Sequence, residues 1–283
     1  MTASDFEDDS PGQPAPPRSL IVTVYGLYAR EVGGWISVST LIRLLAELDV
    51  DAQAVRSSIS RLKRREILVS ERRDGRAGYA LSPYARSVLE TGDRRIFERH
   101  AVTDGGWVIA VFSVPESERQ HRHQLRSRLA WLGFGTVSSG IWIAPAHALD
   151  DTRDHLLRHG LDQYVDLFRG DYVAFGDPAE QVGRWWDLEA LQKLYDDFVA
   201  EFTSMAGRWA GPGKGSDRAA FIDYVQVLTA WRRLPYLDPG LPSSLLPATW
   251  SGTTAADLFA ELRHTLADPA HAFARSLLDD DPA

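Results

Sequence analysis

Cysteine is absent from the 283 residues. That excludes disulfide scaffolds, thiolate zinc sites, iron–sulfur clusters and cysteine nucleophiles. The opening MTASDFEDDS has acids but neither a base nor an apolar run, so a secretory signal is not expected. An unbroken membrane-length helix is missing too. The longest charge-free stretch, residues 129–149, contains Gly133, Gly135, Ser138, Ser139, Gly140 and Pro145, which belong to turns. With 44 % hydrophobic and 25 % charged residues, the composition is that of an ordinary globular chain with ample apolar material for packed cores. The expectation is a soluble, cytoplasmic protein of two or three domains.

The net charge of −8 would argue against a nucleic-acid partner, but its distribution reverses the inference. Residues 1–16 hold four acids and no base. Residues 17–103 hold 15 bases against 10 acids, and residues 104–283 hold 16 bases against 25 acids. A basic front followed by an acidic remainder points to an anionic partner for the front alone.

Residues 1–17, acidic and rich in proline, read as a disordered tail. Leu20, Val24, Leu27 and Tyr28 then lie on one stripe of a first helix. Gly33-Gly34 breaks the chain, and Trp35-Ile36 begins a short extended piece. Ser37 or Ser39 can cap a second helix carrying Leu41, Leu44, Leu45 and Leu48. An Asp in Asp49-Val50-Asp51 can cap a third helix that reaches about Arg65. Two strand-like runs flank Asp74-Gly75, a hairpin turn. This is the order of a winged helix-turn-helix, assigned to residues 18–103 with a following helix.

Residues 104–182 run strand, helix, two strands, helix, strand, the ferredoxin-like order, with Pro115 at the first position of the first helix. The last strand is either 164–168 or 172–175. Residues 183–283 read as a helical C-terminal domain with a break at Gly211–Ser216 and separate helices on either side of Pro269. The fold class expected is therefore α+β.

The third helix carries the sharpest chemistry. Its buried stripe would be Val55, Ile59 and Leu62, which turns Gln53, Ser57, Ser60 and Arg64 outward, flanked by Arg56 and Arg61. Between Ala54 and Arg65 there are five bases and no acid. Arginine grips phosphate bidentately or reads guanine edges, and Gln and Ser supply shorter hydrogen bonds. The hairpin adds Arg72, Arg73 and Arg76, placed to touch the DNA backbone as a wing.

The runs VRSSISRLKRREIL and GRAGYALSPYARSVL resemble the N-terminal part of PaaX-type transcriptional repressors of phenylacetate catabolism. The similarity continues through DGGWVIAVFSVPE, LAWLGFGTVSSGIWIAP and RWWDLEALQKLYDDFVAEF to LTAWRRLPYLDPGLPSSLLPATWSG. Glu66-Ile67 departs from the Gly-Trp of many relatives. The resemblance implies a homodimeric repressor without catalysis or cofactor. Such a dimer would bind a double-stranded operator, an imperfect inverted repeat, and be released by a small-molecule effector such as an aryl-coenzyme A thioester, phenylacetyl-coenzyme A being the model. Trp231, Arg232, Arg233 and Tyr236 would bind that effector, rings facing the aryl group and guanidinium groups the phosphates. Trp185-Trp186 and Trp250 could add to such a pocket.

Other motifs carry less. His155 and His159 stand at i, i+4 beside Asp151 and Asp154, a chelating spacing, but His159 sits where a helix C-terminus favours an imidazolium. No metal site is assigned. Gly133-x-Gly135 precedes a strand and lacks a third glycine, and Lys214 is followed by Gly215 rather than by Ser or Thr. Neither makes a nucleotide loop. The alternative is a metal-dependent nuclease or hydrolase, because the middle stretch also resembles small CRISPR-associated ferredoxin-like proteins. Those need a carboxylate at the end of the first strand, where this chain has Phe112-Ser113-Val114-Pro115.

Overall fold

The computed structural model describes residues 15–98, 106–173, 175–211 and 215–280. Most of the acidic tail, the centre of the Gly211–Ser216 break and part of the segment before the middle stretch lie outside these. The fold is α+β, with two antiparallel sheets. It divides into two compact units. The terminal unit comprises the described residues up to Phe97 together with Asp196–Arg232 and the residues from Thr253 onward. The central unit comprises Glu98–Tyr195 and Arg233–Gly252.

In the terminal unit the first helix, α1 (Pro17–Val24), starts on a proline at its first turn, where the missing N–H costs nothing. It runs on through a π-helical turn and a 3₁₀ turn to Gly33. Every residue from Ser19 to Val24 is buried, so the helix is covered all round rather than along one stripe. After β1 (Trp35–Ser37), Ser37 caps α2 (Val38–Ala46), accepting the Thr40 N–H at 3.0 Å. Asp51 caps α3 (Ala52–Arg64) by accepting the N–H groups of Gln53 and Ala54. A hairpin of β2 (Leu68–Arg73) and β3 (Arg76–Leu81) follows. Asp74 and Gly75, both with positive φ, form the turn, as the mirror-image hairpin turns require. β1 adds to the hairpin in the order β1-β3-β2, and α4 (Pro83–Phe97) completes the segment.

Helices from the far end of the chain finish this unit. Thr23 Oγ1 on α1 lies 2.8 Å from Thr229 Oγ1 on a later helix that runs Asp217–Trp231. The Tyr28 ring meets Phe221 at 5.5 Å and His271 at 4.9 Å. Glu31 pairs with Arg275, and Arg218 with Glu47.

The central unit is built on β4 (Trp107–Phe112), α5 (Arg119–Trp131), β5 (Gly135–Ser138), β6 (Ile141–Pro145), α6 (Leu149–Arg158) and β7 (Val165–Gly170). The sheet order is β5-β6-β4-β7, antiparallel throughout. Of the two segments offered for the last strand, the first is close to β7. Val108, Ala110 and Phe112 point to a core completed by Leu125, Leu129 and Leu156 from α5 and α6. On the other face Ile109 stands in register with Ile143 and Phe168, and Val111 with Ile141. Phe168 is 54 % exposed and Ile141 38 %, so part of that apolar face is open.

The remaining helices are α7 (Pro178–Trp185), α8 (Leu188–Ala210), α9 (Asp217–Trp231), α10 (Leu234–Leu237) and α11 (Gly252–Asp279). Two boundaries differ from expectation. Pro115 precedes a 3₁₀ turn at Glu116–Glu118, and α5 begins only after it. α11 runs unbroken through Pro269. A proline inside a helix costs about 3 kcal/mol. Leu262, Leu266, Ala270 and Ala274 continue one buried stripe past it, and at about 2 kcal/mol for each buried leucine that stripe offsets the cost.

Candidate nucleic-acid interface

α3 buries Val55, Ser58, Ile59 and Leu62. Gln53, Arg56, Ser57, Ser60, Arg61, Lys63 and Arg64 are all exposed, as the 3.6-residue period demands once the apolar stripe is fixed inward. The predicted outward residues therefore share one surface. Ser57 Oγ donates to Ala54 O at 3.0 Å, and Lys63 lies over the Tyr79 ring at 5.7 Å.

The arginines of this unit separate into two groups. Arg30 is paired with Asp93, Arg43 with Asp280, Arg73 with Glu71, Arg208 with Asp223 and Arg218 with Glu47. Arg86 donates to Gly33 O, and Arg263 lies over Phe97. Arg18, Arg65, Arg76, Arg94, Arg95 and Arg232 are also engaged. Among the described residues, Arg56, Arg61 and Arg64 alone of the unit's arginines have no hydrogen bond, ion pair or ring contact. All three are on α3. Guanidinium groups left unused by the fold are available to an external anion.

The hairpin arginines behave differently. Arg72 folds back to donate to Gly75 O at 2.7 Å. Arg73 donates to Glu71 at 2.6 Å and lies 5.5 Å from the Trp35 ring. Trp35 in turn donates to Glu71 O and packs across Gly78, where a Cβ would sit 2.6 Å from Ile36 O. The glycine is therefore what lets β1 and its tryptophan close onto the hairpin.

Between helix and hairpin, Ile67 N–H reaches back to Leu62 O and Glu66 N–H to Lys63 O, so α3 ends in a tight reversal. Glu66 has φ 56°, the left-handed region that glycine occupies without strain. The departure at Glu66 thus falls on a position whose geometry favours the glycine of the relatives.

Trp231 and Arg232 are buried at the end of α9. Trp231 stacks on Phe259 at 4.8 Å and donates to Ile96 O at 3.0 Å; Arg232 donates to Ser19 O at 3.3 Å. Arg233 and Tyr236 belong to the central unit, where Tyr236 is buried and stacks on Trp131 at 5.4 Å. Trp185 and Trp186 pack on Trp107, and Trp250 packs edge-on to Tyr195. The tryptophans are thus distributed over separate contacts. The Asp-Pro-Gly stretch is held locally: Tyr195 donates to Asp238 Oδ2 at 2.7 Å, and Gln192 bridges Thr249 O and Ser251 Oγ.

The histidine pair is engaged internally. Arg128 donates to His155 Nε2 at 2.9 Å, and His159 Nδ1 donates to His155 O at 2.7 Å. Burial, then the neighbouring His159 and Arg128, pushes the His155 pKa down to about 3, so it is neutral with Nδ1 protonated. The lone pair that a metal would need already accepts from a guanidinium. Among the described residues no group of three His, Asp or Glu is placed to hold a metal ion, and no helix is long and apolar enough to cross a membrane.

Three models of one family match consecutive stretches of the chain. They are described as PaaX-like protein at residues 16–85, PaaX protein central Cas2-like domain at 100–182, and PaaX-like protein C-terminal domain at 186–276. The chain is 26 % identical over 261 residues to the transcriptional repressor PaaX of Escherichia coli (strain K12), covering 90 % of this chain and 82 % of that protein. It also resembles the solved structure of an uncharacterized protein from Mycobacterium tuberculosis, with TM-score 0.55 and 23 % identity, covering 87 % of this chain and 98 % of the other. That second likeness is one of fold. Matched by all three parts of one family in their order along the sequence, the chain belongs to the PaaX family.

Proposed function

We propose that the protein is a sequence-specific DNA-binding transcriptional repressor and not an enzyme. α1 to α3 with the β2–β3 hairpin act as a winged helix-turn-helix, and the β4–β7 sheet with α5 and α6 is a ferredoxin-like scaffold of order β5-β6-β4-β7. The observation that carries the reading is the trio Arg56, Arg61 and Arg64, exposed on one helix and unused by the fold. Gln53, Ser57 and Ser60 stand beside them as base- or phosphate-directed donors. Arg72, Arg73 and Arg76 would contact backbone phosphates once their internal partners are exchanged for DNA.

Two protomers bind an imperfect inverted repeat, one α3 per half-site. The open apolar face around Val111, Ile141 and Phe168 supports pairing through the central units. An effector such as an aryl-coenzyme A thioester releases the complex in the cytoplasm. Trp231, Arg232, Arg233 and Tyr236 are the residues that sense it. Trp231 and Arg232 suit the task, since they bond directly to main-chain oxygens of α4 and of α1, and α1 packs on the reading helix.

The test starts from duplexes that the full-length protein selects out of a random library. Replacing Arg64 by glutamine should lower the salt slope of binding by ~0.9 per protomer if the contact is to phosphate. If it is to a base, the loss should be ~1–3 kcal/mol at one operator position. Arg56→Gln and Arg61→Gln should show one or the other signature. Unchanged binding in all three variants overturns the interface, and failure to select any sequence overturns the repressor reading.

A further inference from the structure

Guanidinium groups that the fold leaves unused occur in the central unit as well. Arg122 donates to Val114 O and pairs with Glu116, Arg128 holds His155, Arg153 pairs with Asp150 and Asp154, and Arg158 donates to Asp154 O. Arg169 and Arg233 are also engaged. Among the described residues, Arg119, Arg126 and Arg184 have no such partner. Arg119 and Arg126 lie on α5, with His123 between them at i, i+4 and i+7, and all three are exposed on one face. Exposed Gln120 and Gln124 stand beside this row. The two arginines are separated by about 10 Å along the helix axis.

This arrangement opposes the stability of the helix that carries it. Arg119 is the first residue of α5, where a cation meets the positive end of the helix dipole and is disfavoured. Arg122 and Arg126, at i, i+4, add a like-charge pair, and no acid occurs from Arg119 to Trp131. Arg184 differs, since it stands in the last turn of α7, where a cation is favoured. Two unpaired guanidinium groups on one exposed helix face, the first of them where the helix dipole disfavours it, call for an anionic partner.

We propose that the outer face of α5, through Arg119 and Arg126 with Gln120, His123 and Gln124, binds the phosphate backbone of duplex DNA outside the bases that α3 reads. The proposal rests on the DNA-binding reading above and adds a contact to it. The central unit becomes a second, sequence-independent clamp that lengthens the footprint. Bare guanidinium groups and amide side chains suit phosphate oxygens.

The experiment uses the full-length protein and its selected site in two forms, bare and extended by about two helical turns (~20 bp) on each side. On the extended duplex the double variant Arg119→Gln/Arg126→Gln should lower the salt slope by ~1.8 per protomer, ~3.6 for the bound dimer, so that the wild-type protein loses about 150-fold more affinity than the variant between 50 and 200 mM salt. On the bare site the two should bind alike. Arg184→Gln removes one charge off this face and should keep the wild-type slope on both duplexes. Arg64→Gln should weaken both, which separates the two interfaces. A wild-type slope for the double variant on the extended duplex overturns the proposal and leaves an acidic protein surface as the occupant to seek. An equal effect of Arg184→Gln overturns it in favour of a diffuse charge effect.

Discussion

Replacing His155 by glutamine isolates the titration of one buried imidazole. In the folded chain the His155 pKa is lowered to about 3 from the usual 6.5, so between those values the unfolded chain binds more protons than the native one. Stability contributed by the neutral ring is full above pH 6.5 and is lost as the pH falls toward 3. The slope is at most about 1.4 kcal/mol per pH unit, so a drop from neutrality to pH 5 removes up to about 2 kcal/mol. This is an upper bound, because His155 keeps 9 % of its surface exposed. Glutamine can still accept the Arg128 hydrogen bond but cannot titrate, and it forgoes the tilted ring contact with Trp131 at 5.1 Å. The variant should therefore be less stable at pH 7.5 and should lose less on acidification, so the gap between the two proteins narrows. Hydrogen exchange of peptides from α6, measured at several pH values, reads the local opening energy directly. Carboxylates titrate in both proteins and cancel in the difference. Equal pH slopes for wild type and His155→Gln would refute the buried, neutral assignment.

Glu66→Gly should relieve a left-handed residue at the end of α3 and raise stability by about 1 kcal/mol, seen as a higher urea midpoint. It also removes an acid beside the reading helix, so operator affinity should rise rather than fall. Gly78→Ala places a Cβ against Trp35 and the Ile36 carbonyl and should cost about 3 kcal/mol, with DNA binding lost in parallel. Phe168→Lys, on the open sheet face, should convert a dimer to a monomer in sedimentation experiments while leaving the circular dichroism unchanged; a persistent dimer would place the interface elsewhere. Arg233→Ala should keep operator binding but lose release by aryl-coenzyme A thioesters, and a normal response would move the effector site away from this segment.

Much of the candidate interface was legible because its signals are local. The Asp51 cap, the Val55–Ile59–Leu62 stripe and the Asp74-Gly75 turn each depend on residues a few positions apart. The continuation of α11 past Pro269 was not legible, because a helix-breaking residue outvotes a stripe whose partners are distant in sequence. Nor was the burial of α1 on every side. Thr23 and Ser19 look like the polar face of an amphipathic helix until Thr229 and Arg232 arrive from the other end of the chain. The freedom of Arg56, Arg61 and Arg64 is likewise a property of the whole unit, since it is known only when every other arginine has found its partner.

The return of α9 to α1, and of α11 to the turns that follow α1, has a consequence for synthesis. During translation α1, α2 and α3 emerge together, yet the residues that finish the cover of α1 and of the turns after it, such as Thr229, Arg232, His271 and Arg275, emerge only after most of the central unit. A nascent chain therefore cannot assemble the complete unit around α3 until α11 has emerged. A premature stop anywhere before α11 yields a fragment whose Tyr28 and Glu31 have lost His271 and Arg275.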